Sequence, residues 1–300
     1  MEKNDIIVNL REISKFFGKK EVLSNINLTI RRGESVGIVG PNGAGKTTLI
    51  SMIQGIKRPT SGIVKLFGGN PSHPKFRTKL GVSPQSISLP ETFKAKELID
   101  FVRKHYLDQD SLEELIEEFK LTNIADQKVG GLSGGQKRLL SACLSFSGNP
   151  ELVLLDEPTA GLDMNTRDTL WEIIKKRHLK GTTVIVTSHY SEDIENLAQR
   201  IVKIDNGEIH LDESLSQIRN KAQMKNIVLK TKNPNTFVNL PSVESYSIDG
   251  EHLILKSFQS EQLIREIVMI DEDFQDLKVF EDRLDQYFMA SSEEKGKVSQ

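Results

Sequence analysis

The chain has almost no cysteine. Cys143 is the only one in the sequence, so no intramolecular disulfide can form and a reducing compartment is the natural expectation. Long apolar runs are missing too. The longest, such as Leu152 to Leu155, are far too short to cross a bilayer. No apolar signal region follows the opening Met1-Glu2-Lys3-Asn4-Asp5. A protein with this make-up that acts at a membrane needs another polypeptide to span it. Charge of one sign is also scarce. The formal net charge of −2 argues against a protein that binds nucleic acid by neutralising its phosphates, and no nucleic-acid partner is expected. What remains, 37% hydrophobic and 27% charged residues over 300 positions, fits a soluble globular protein of about two domains.

What is present is organised around Gly40-Pro41-Asn42-Gly43-Ala44-Gly45-Lys46-Thr47-Thr48. This stretch fits the phosphate-binding pattern G-x-x-x-x-G-K-[ST]. A strand-like run, residues 34–39, precedes it, and a helix-compatible run from Lys46 to Gln54 follows and ends at Gly55. Glycines let the loop turn its N–H groups around phosphate oxygens because no Cβ blocks the approach. The helix N-terminus adds about half a positive charge there. Lys46 is expected at the β- and γ-phosphates and the Thr47 hydroxyl on Mg²⁺.

Upstream, strands are expected over Ile6 to Ile13 and Leu23 to Ile30, with Phe16-Phe17-Gly18 between them. Locally, Phe17 reads equally as core or as a face for adenine. Downstream, Ile63 to Phe67 and Lys79 to Val82 read as strands. Gln85 then stands at a strand end, as a surface-loop residue or as a group that ligates Mg²⁺ or positions water. From Phe93 to Ser147 the pattern is helical, with Leu98, Phe101 and Val102 on one face and Leu112, Leu115, Ile116 and Phe119 on another. Glu113, Glu114, Glu117 and Glu118 read as a solvated face. Leu132-Ser133-Gly134-Gly135-Gln136 opens a further helix. Ser133 and Gln136 form a capping box, and the glycine-bearing helix start is also a second phosphate-binding element. With only one phosphate loop per chain, that suggests a nucleotide sandwiched between two copies. Cys143 falls on the apolar side of this helix as an inert thiol.

Residues 151–156 form an apolar run of the kind buried on both faces of a parallel sheet, ending in Asp156 and Glu157. Two carboxylates at that edge divide the work: Asp156 orients Mg²⁺ through its water shell, and Glu157 polarises the attacking water as general base. Thr182 to Thr187 is a strand leading to His189, the one histidine of six at the carboxyl end of a buried-type strand. His189 is expected to hold the γ-phosphate or to align Glu157 and the water. Asn206-Gly207 marks a hairpin turn. A composition shift follows. Residues 214–289 read as a small α+β unit with no catalytic constellation, ending in a short helix at Leu284 to Met289, and residues 290–300 as a polar tail.

Taken together, these motifs resemble the ATP-binding-cassette (ABC) ATPases, the nucleotide-binding subunits of ABC transporters, over roughly Ile6 to Leu211. The Walker A motif is Gly40 to Thr47, the Q-loop Gln85, the signature Leu132 to Gln136, Walker B Leu152 to Pro158, the D-loop Ala160 to Asp163 and the switch histidine His189. Ala160 stands where the family more often has Ser. The resemblance implies an α/β phosphate-loop fold over residues 1–213, with an antiparallel β subdomain and a helical subdomain at about 86–150. It makes Phe17 the adenine-stacking aromatic. It also implies a head-to-tail dimer in which ATP and Mg²⁺ on one Walker A motif are closed over by Ser133, Gly134, Gly135 and Gln136 of the other copy, with Asp163 at the same interface. Coupling would run through the lobe from Phe93 to Lys120 and the groove beside Gln85.

The C-terminal unit resembles the extension of ATPases that serve separate membrane subunits of exporters for drugs, peptides or polysaccharides. The expected role is therefore an exporter ATPase on the cytoplasmic face of the membrane, bound there through a multispanning permease and paired with a second ATPase subunit. The alternative is a soluble ABC ATPase in iron–sulfur assembly or translation. A single cassette argues against the translation branch, and the absence of a coiled-coil or zinc-finger insertion argues against a repair ATPase. An importer subunit would carry a small β-barrel instead.

Overall fold

The computed structural model describes residues 5–106, 108–222, 224–270 and 273–281. The chain folds as two compact units, Met1–Asp212 and Glu213–Gln300.

The first unit opens with two long strands, β1 (Ile6–Phe17) and β2 (Lys20–Arg31). Then come β3 (Ser35–Val39), α1 (Lys46–Ile53), β4 (Ser61–Leu66), the short α2 (Pro74–Arg77) and β5 (Leu80–Ser83). The helical block holds α3 (Ala95–Arg103), α4 (Leu112–Glu118) and α5 (Gly134–Phe146). Next are β6 (Leu152–Asp156), α6 (Met164–Leu179), β7 (Thr183–Thr187) and α7 (Ser191–Leu197), then β8 (Arg200–Asp205) and β9 (Glu208–Ser214), joined by the Asn206–Gly207 turn.

These strands form two sheets. β2-β1-β4 is antiparallel, and β5-β6-β7-β3-β8-β9 is parallel from β5 through β8. Every residue of β3, β6 and β7 is buried, as the continuous apolar runs predict for strands covered on both faces. One core joins the two sheets across α1, with Ile7, Leu10, Ile26, Leu49, Met52, Leu154 and Ile185 all within it. Because β7 lies between β6 and β3, the carboxyl ends of all three strands emerge together. The loops after Val39, Asp156 and Thr187 therefore meet at one edge, where ligands of such sheets bind.

The helical block departs from expectation in two places. In α3 the buried residues are Ala95, Leu98 and Ile99, while Phe101 is 56% exposed. It sits beside Phe93 and His105, with ring centroids 6.4 and 4.7 Å away. Periodicity placed Phe101 with Leu98 and Val102, but of the three only Leu98 is buried. Glu118, read as part of a solvated face, is instead drawn inward by the buried Arg177 of α6, with which it forms an ion pair, and by Lys176 at 3.1 Å. A cation fifty-nine residues away has no local signature. Cys143 is buried as expected, and burial pushes its thiol pKa up.

The second unit has α8 (Leu215–Ala222), then β10 (Lys225–Thr231), α9 (Pro234–Val238), β11 (Ser245–Asp249), β12 (His252–Ser257), α10 (Ser260–Met269) and β13 (Phe274–Glu281). Its sheet order is β11-β12-β10-β13, with every neighbouring pair antiparallel. That is the β-α-β-β-α-β arrangement of the split βαβ motif. Phe237, Leu263 and Ile267 of its helices pack on Ile227, Leu229, Leu253 and Leu255. The expected α+β pattern is thus present, with α9 added. This helix begins with Pro234 at its first position, where a missing N–H costs nothing. The expected helix at Leu284 to Met289 and the tail 290–300 lie outside the described residues.

Candidate functional site

The loop between β3 and α1 folds as its glycines require. Gly40 has φ 147, and a Cβ there would sit 1.9 Å from the Ile204 carbonyl oxygen. Gly45, at φ 106, caps α1, and a Cβ would meet Leu23 Cδ2 at 2.5 Å and the Val22 carbonyl oxygen at 2.9 Å. No other residue fits either place without moving backbone. Lys46, only 7% exposed, returns over the loop, and its Nζ donates to the carbonyls of Gly40 at 2.7 Å and Pro41 at 3.1 Å. One ammonium hydrogen remains for a phosphate. Burial lowers the Lys46 pKa, and the Glu157 and Asp156 carboxylates partly oppose that by favouring its charge.

A cavity of about 340 Å³ opens above the loop. It is lined by Asn42, Gly43, Gly45, Lys46, Thr47 and Thr48, by Gln85 and Glu157 on one side, and by Phe17, Lys20, Val22 and Lys57 on the other. Phe17 ends β1 and is 45% exposed, with Lys15 Nζ at 5.1 Å and Lys57 Nζ at 5.2 Å from its ring centroid. It is therefore not a core residue.

Asp156 and Glu157 stand where β6 ends. Asp156 is 5% exposed, and its Oδ1 accepts from the Thr187 hydroxyl at 2.5 Å. Glu157 takes φ 51, a left-handed conformation costing a non-glycine residue about 1 kcal/mol or more. Its N–H offsets this by donating to both the carbonyl and the hydroxyl of Thr187, each at 3.1 Å. The turn swings the Glu157 side chain toward Gln85 and His189, of which only His189 was expected beside it. Gln85 Nε2 donates to Glu157 Oε2 at 3.0 Å, and His189 Nδ1 lies 3.4 Å from Glu157 Oε1. Gln85 itself is exposed and lies in the loop after β5.

Two predicted elements are not part of this cavity. Ser133 caps α5 through Gln136, with Gln136 N–H to Ser133 Oγ at 3.3 Å and Ser133 N–H to Gln136 Oε1 at 2.9 Å. Ser133 and Gly134 face solvent, and a Cβ on Gly134 would meet nothing within 4 Å. Asp163 caps α6, accepting from Thr166 N–H at 3.0 Å and Thr166 Oγ1 at 2.7 Å. The Thr166 N–H, first among its donors, holds the Asp163 carboxyl below its usual pKa. Neither segment lines the cavity of its own chain.

Several residues at the site carried no usable sequence signal. Arg138 of α5 donates to the Gln85 carbonyl at 3.0 Å and so holds the Gln85 loop; burial lowers its pKa. Thr187 bonds to both Asp156 and Glu157. Thr159, Ser188 and Trp171 all donate to one buried carboxylate, Asp193. Each looks ordinary in one dimension, and only the sheet brings them together.

A glycine loop between a buried parallel strand and a helix, facing a carboxylate pair, defines a phosphate-loop nucleotide-binding protein. The family model described as "ABC transporter" matches residues 23–160. Nod factor export ATP-binding protein I of Burkholderia lata is 37% identical over 67% of this chain and 68% of its own length. The linearmycin resistance ATP-binding protein of Bacillus subtilis is 38% identical over 68% of each chain. Among solved structures, a dimeric ATP-binding cassette in a post-hydrolysis state with ADP and Pi is 27% identical, with a TM-score of 0.63 over 70% of this chain and 99% of that one. The chain belongs to the ABC transporter family. It is an ATP-binding ABC ATPase subunit, homologous to the ATP-binding proteins of exporters.

Proposed function

We propose that this chain hydrolyses ATP as one half of a head-to-tail pair and powers a separate, multispanning permease that exports a drug, peptide or polysaccharide. The observation that carries the reading is the convergence of Gln85, Glu157 and His189 beside the Lys46 loop. ATP lies with its phosphates on the loop N–H groups, its γ-phosphate near Lys46 and its adenine on Phe17. The residues fit Mg²⁺. Thr47, Gln85 and Asp156 offer hard oxygen donors, and no cluster of three or more His, Cys, Asp or Glu occurs among the described residues. A site of this kind leaves room for the phosphate and water oxygens that Mg²⁺ favours. Thr47 and Gln85 would hold the ion directly and Asp156 through water, and its charge would offset that of the phosphates. Gln85 donates through Nε2 to Glu157, which leaves its side-chain Oε1 for the ion.

Glu157 takes the proton of the attacking water. Its Oε2 accepts from Gln85 and its Oε1 lies beside His189, and a carboxylate oxygen accepts more than one hydrogen bond, so the side chain is oriented with acceptor capacity left for the water. Ser133 to Gln136 and Asp163, which do not line their own chain's cavity, cover the nucleotide of the second copy. The solved dimeric cassette supports that arrangement. ATP then stabilises the closed pair, and hydrolysis removes the stabilisation.

Among the described residues no helix is long and apolar enough to cross a membrane. On this reading the subunit is held at the cytoplasmic face by its permease, with the exposed Phe93–Phe101–His105 cluster on the side that meets it.

The test is affinity capture of the tagged chain from detergent-solubilised native membranes. A stoichiometric multispanning protein is expected. Recovery only in the soluble fraction, with ribosomal or iron–sulfur assembly proteins, would replace the transport role and leave the nucleotide chemistry standing.

A further inference from the structure

Asp193, in the first turn of α7, is fully buried. Burying a carboxylate is costly unless its oxygens are well bonded. Here three neutral donors meet them. Thr159 Oγ1 and Ser188 Oγ each donate to Oδ2 at 2.5 Å, and Trp171 Nε1 donates to Oδ1 at 2.9 Å. An acid in a helix's first turn is ordinarily explained by the helix dipole. That explanation asks for an exposed side chain near the N–H groups, not a buried one shared among three other segments.

The identity of those segments is informative. Thr159 is two residues after Glu157, in the turn closed by Ala160 N–H to the Glu157 carbonyl at 3.3 Å. Ser188 directly precedes His189. Its hydroxyl proton goes to Asp193, which leaves its oxygen to accept the Tyr190 N–H at 3.0 Å. That bond brackets His189 between two pinned residues. Trp171 anchors α6, the helix that Asp163 caps. One carboxylate therefore ties down the backbone on both sides of the Glu157–His189 contact.

We propose that Asp193 is a positioning residue for hydrolysis: through Thr159 and Ser188 it holds Glu157 and His189 in register. The inference rests on the reading of Glu157 as general base. It also predicts a kinetic signature. Asp193, Thr159, Ser188 and Trp171 do not line the nucleotide cavity, so their loss acts on turnover and not on nucleotide binding.

The experiment measures steady-state ATPase kinetics and nucleotide affinity of the full chain for Asp193→Asn, Thr159→Val, Thr159→Ser and Glu157→Gln. Asp193→Asn is expected to lower kcat by about tenfold or more, the scale of a misaligned catalytic group, with KM and affinity nearly unchanged. Thr159→Val keeps the shape and loses the hydroxyl, whereas Thr159→Ser keeps the hydroxyl and loses a methyl. Val is expected to be the more damaging of the two, and a second loss from Asp193→Asn on top of Thr159→Val is expected to be less than additive. An unchanged kcat in Asp193→Asn overturns the proposal. So does Ser being worse than Val, which would mean packing, or a rise in KM at constant kcat. If Asp193→Asn does not fold, the Thr159 pair decides alone. Persistent turnover in Glu157→Gln would refute the general-base reading. Lost turnover there, with Asp193→Asn unaffected, would sink only the positioning role.

Discussion

At the residue scale, the site is a small set of charges placed against each other. Glu157→Gln keeps the shape of the side chain but removes its proton-accepting charge. Turnover is expected to fall at least about a hundredfold while ATP still binds, so that ATP traps a dimer; monomer-only elution with saturating Mg·ATP would refute the sandwich. Lys46→Ala should lose nucleotide binding itself, read by equilibrium titration. The Lys46 pKa sets a pH dependence of known sign. Burial lowers it from 10.5, so the ammonium is lost, and nucleotide affinity with it, at a lower pH than for a free lysine. The Glu157 charge opposes that shift. Glu157→Gln should therefore move the alkaline loss of affinity to still lower pH. A shift the other way, or none, would mean that the Glu157 charge does not hold the Lys46 ammonium.

At the scale of elements, α6 is held to the helical block by a buried ion cluster. The Arg177 side chain is 5% exposed and meets Asp110 at 2.5 Å, the Asn149 amide oxygen at 3.1 Å and Glu118. Replacing buried ion pairs with apolar groups is often neutral, but removing one partner strands the others. Arg177→Met should accordingly destabilise the first unit by about 3–5 kcal/mol, seen as a lower urea midpoint, and Glu118→Gln in the same chain should recover part of the loss. At α5 the capping box and the proposed nucleotide contact share the same residues. Ser133→Arg should leave binding at the chain's own loop intact but block closure of the pair, and full ATPase activity in that variant would exclude the composite site.

At the scale of the molecule, the two units have separate cores. On the proposed reading nucleotide binds the first unit, which holds the phosphate loop and its cavity. Saturating ADP, at about a hundred times Kd, should stabilise that unit by about 2.7 kcal/mol and leave the other where it was. Calorimetry should therefore show one transition moving and one still. A joint shift would mean that the two units unfold together.

The local patterns determined much of this. The glycine loop, the buried apolar strands, the Ser133–Gln136 capping box and the carboxylates at the end of β6 each depend on neighbours close in the chain, and each was legible as such. His189 was legible as a group that aligns Glu157, whereas Gln85 was legible only as a strand-end candidate and its hydrogen bond to Glu157 was not. What only the tertiary structure decided involves partners brought together by the fold: Glu118 turned inward to Arg177, Arg138 on the Gln85 carbonyl, and Asp193 gathering Thr159, Trp171 and Ser188. The physical reason is the same in each case. Backbone propensity and periodicity act over a few residues, whereas the desolvation of a buried charge is resolved by whichever donor the parallel sheet brings alongside, and strand order is not written in any single segment.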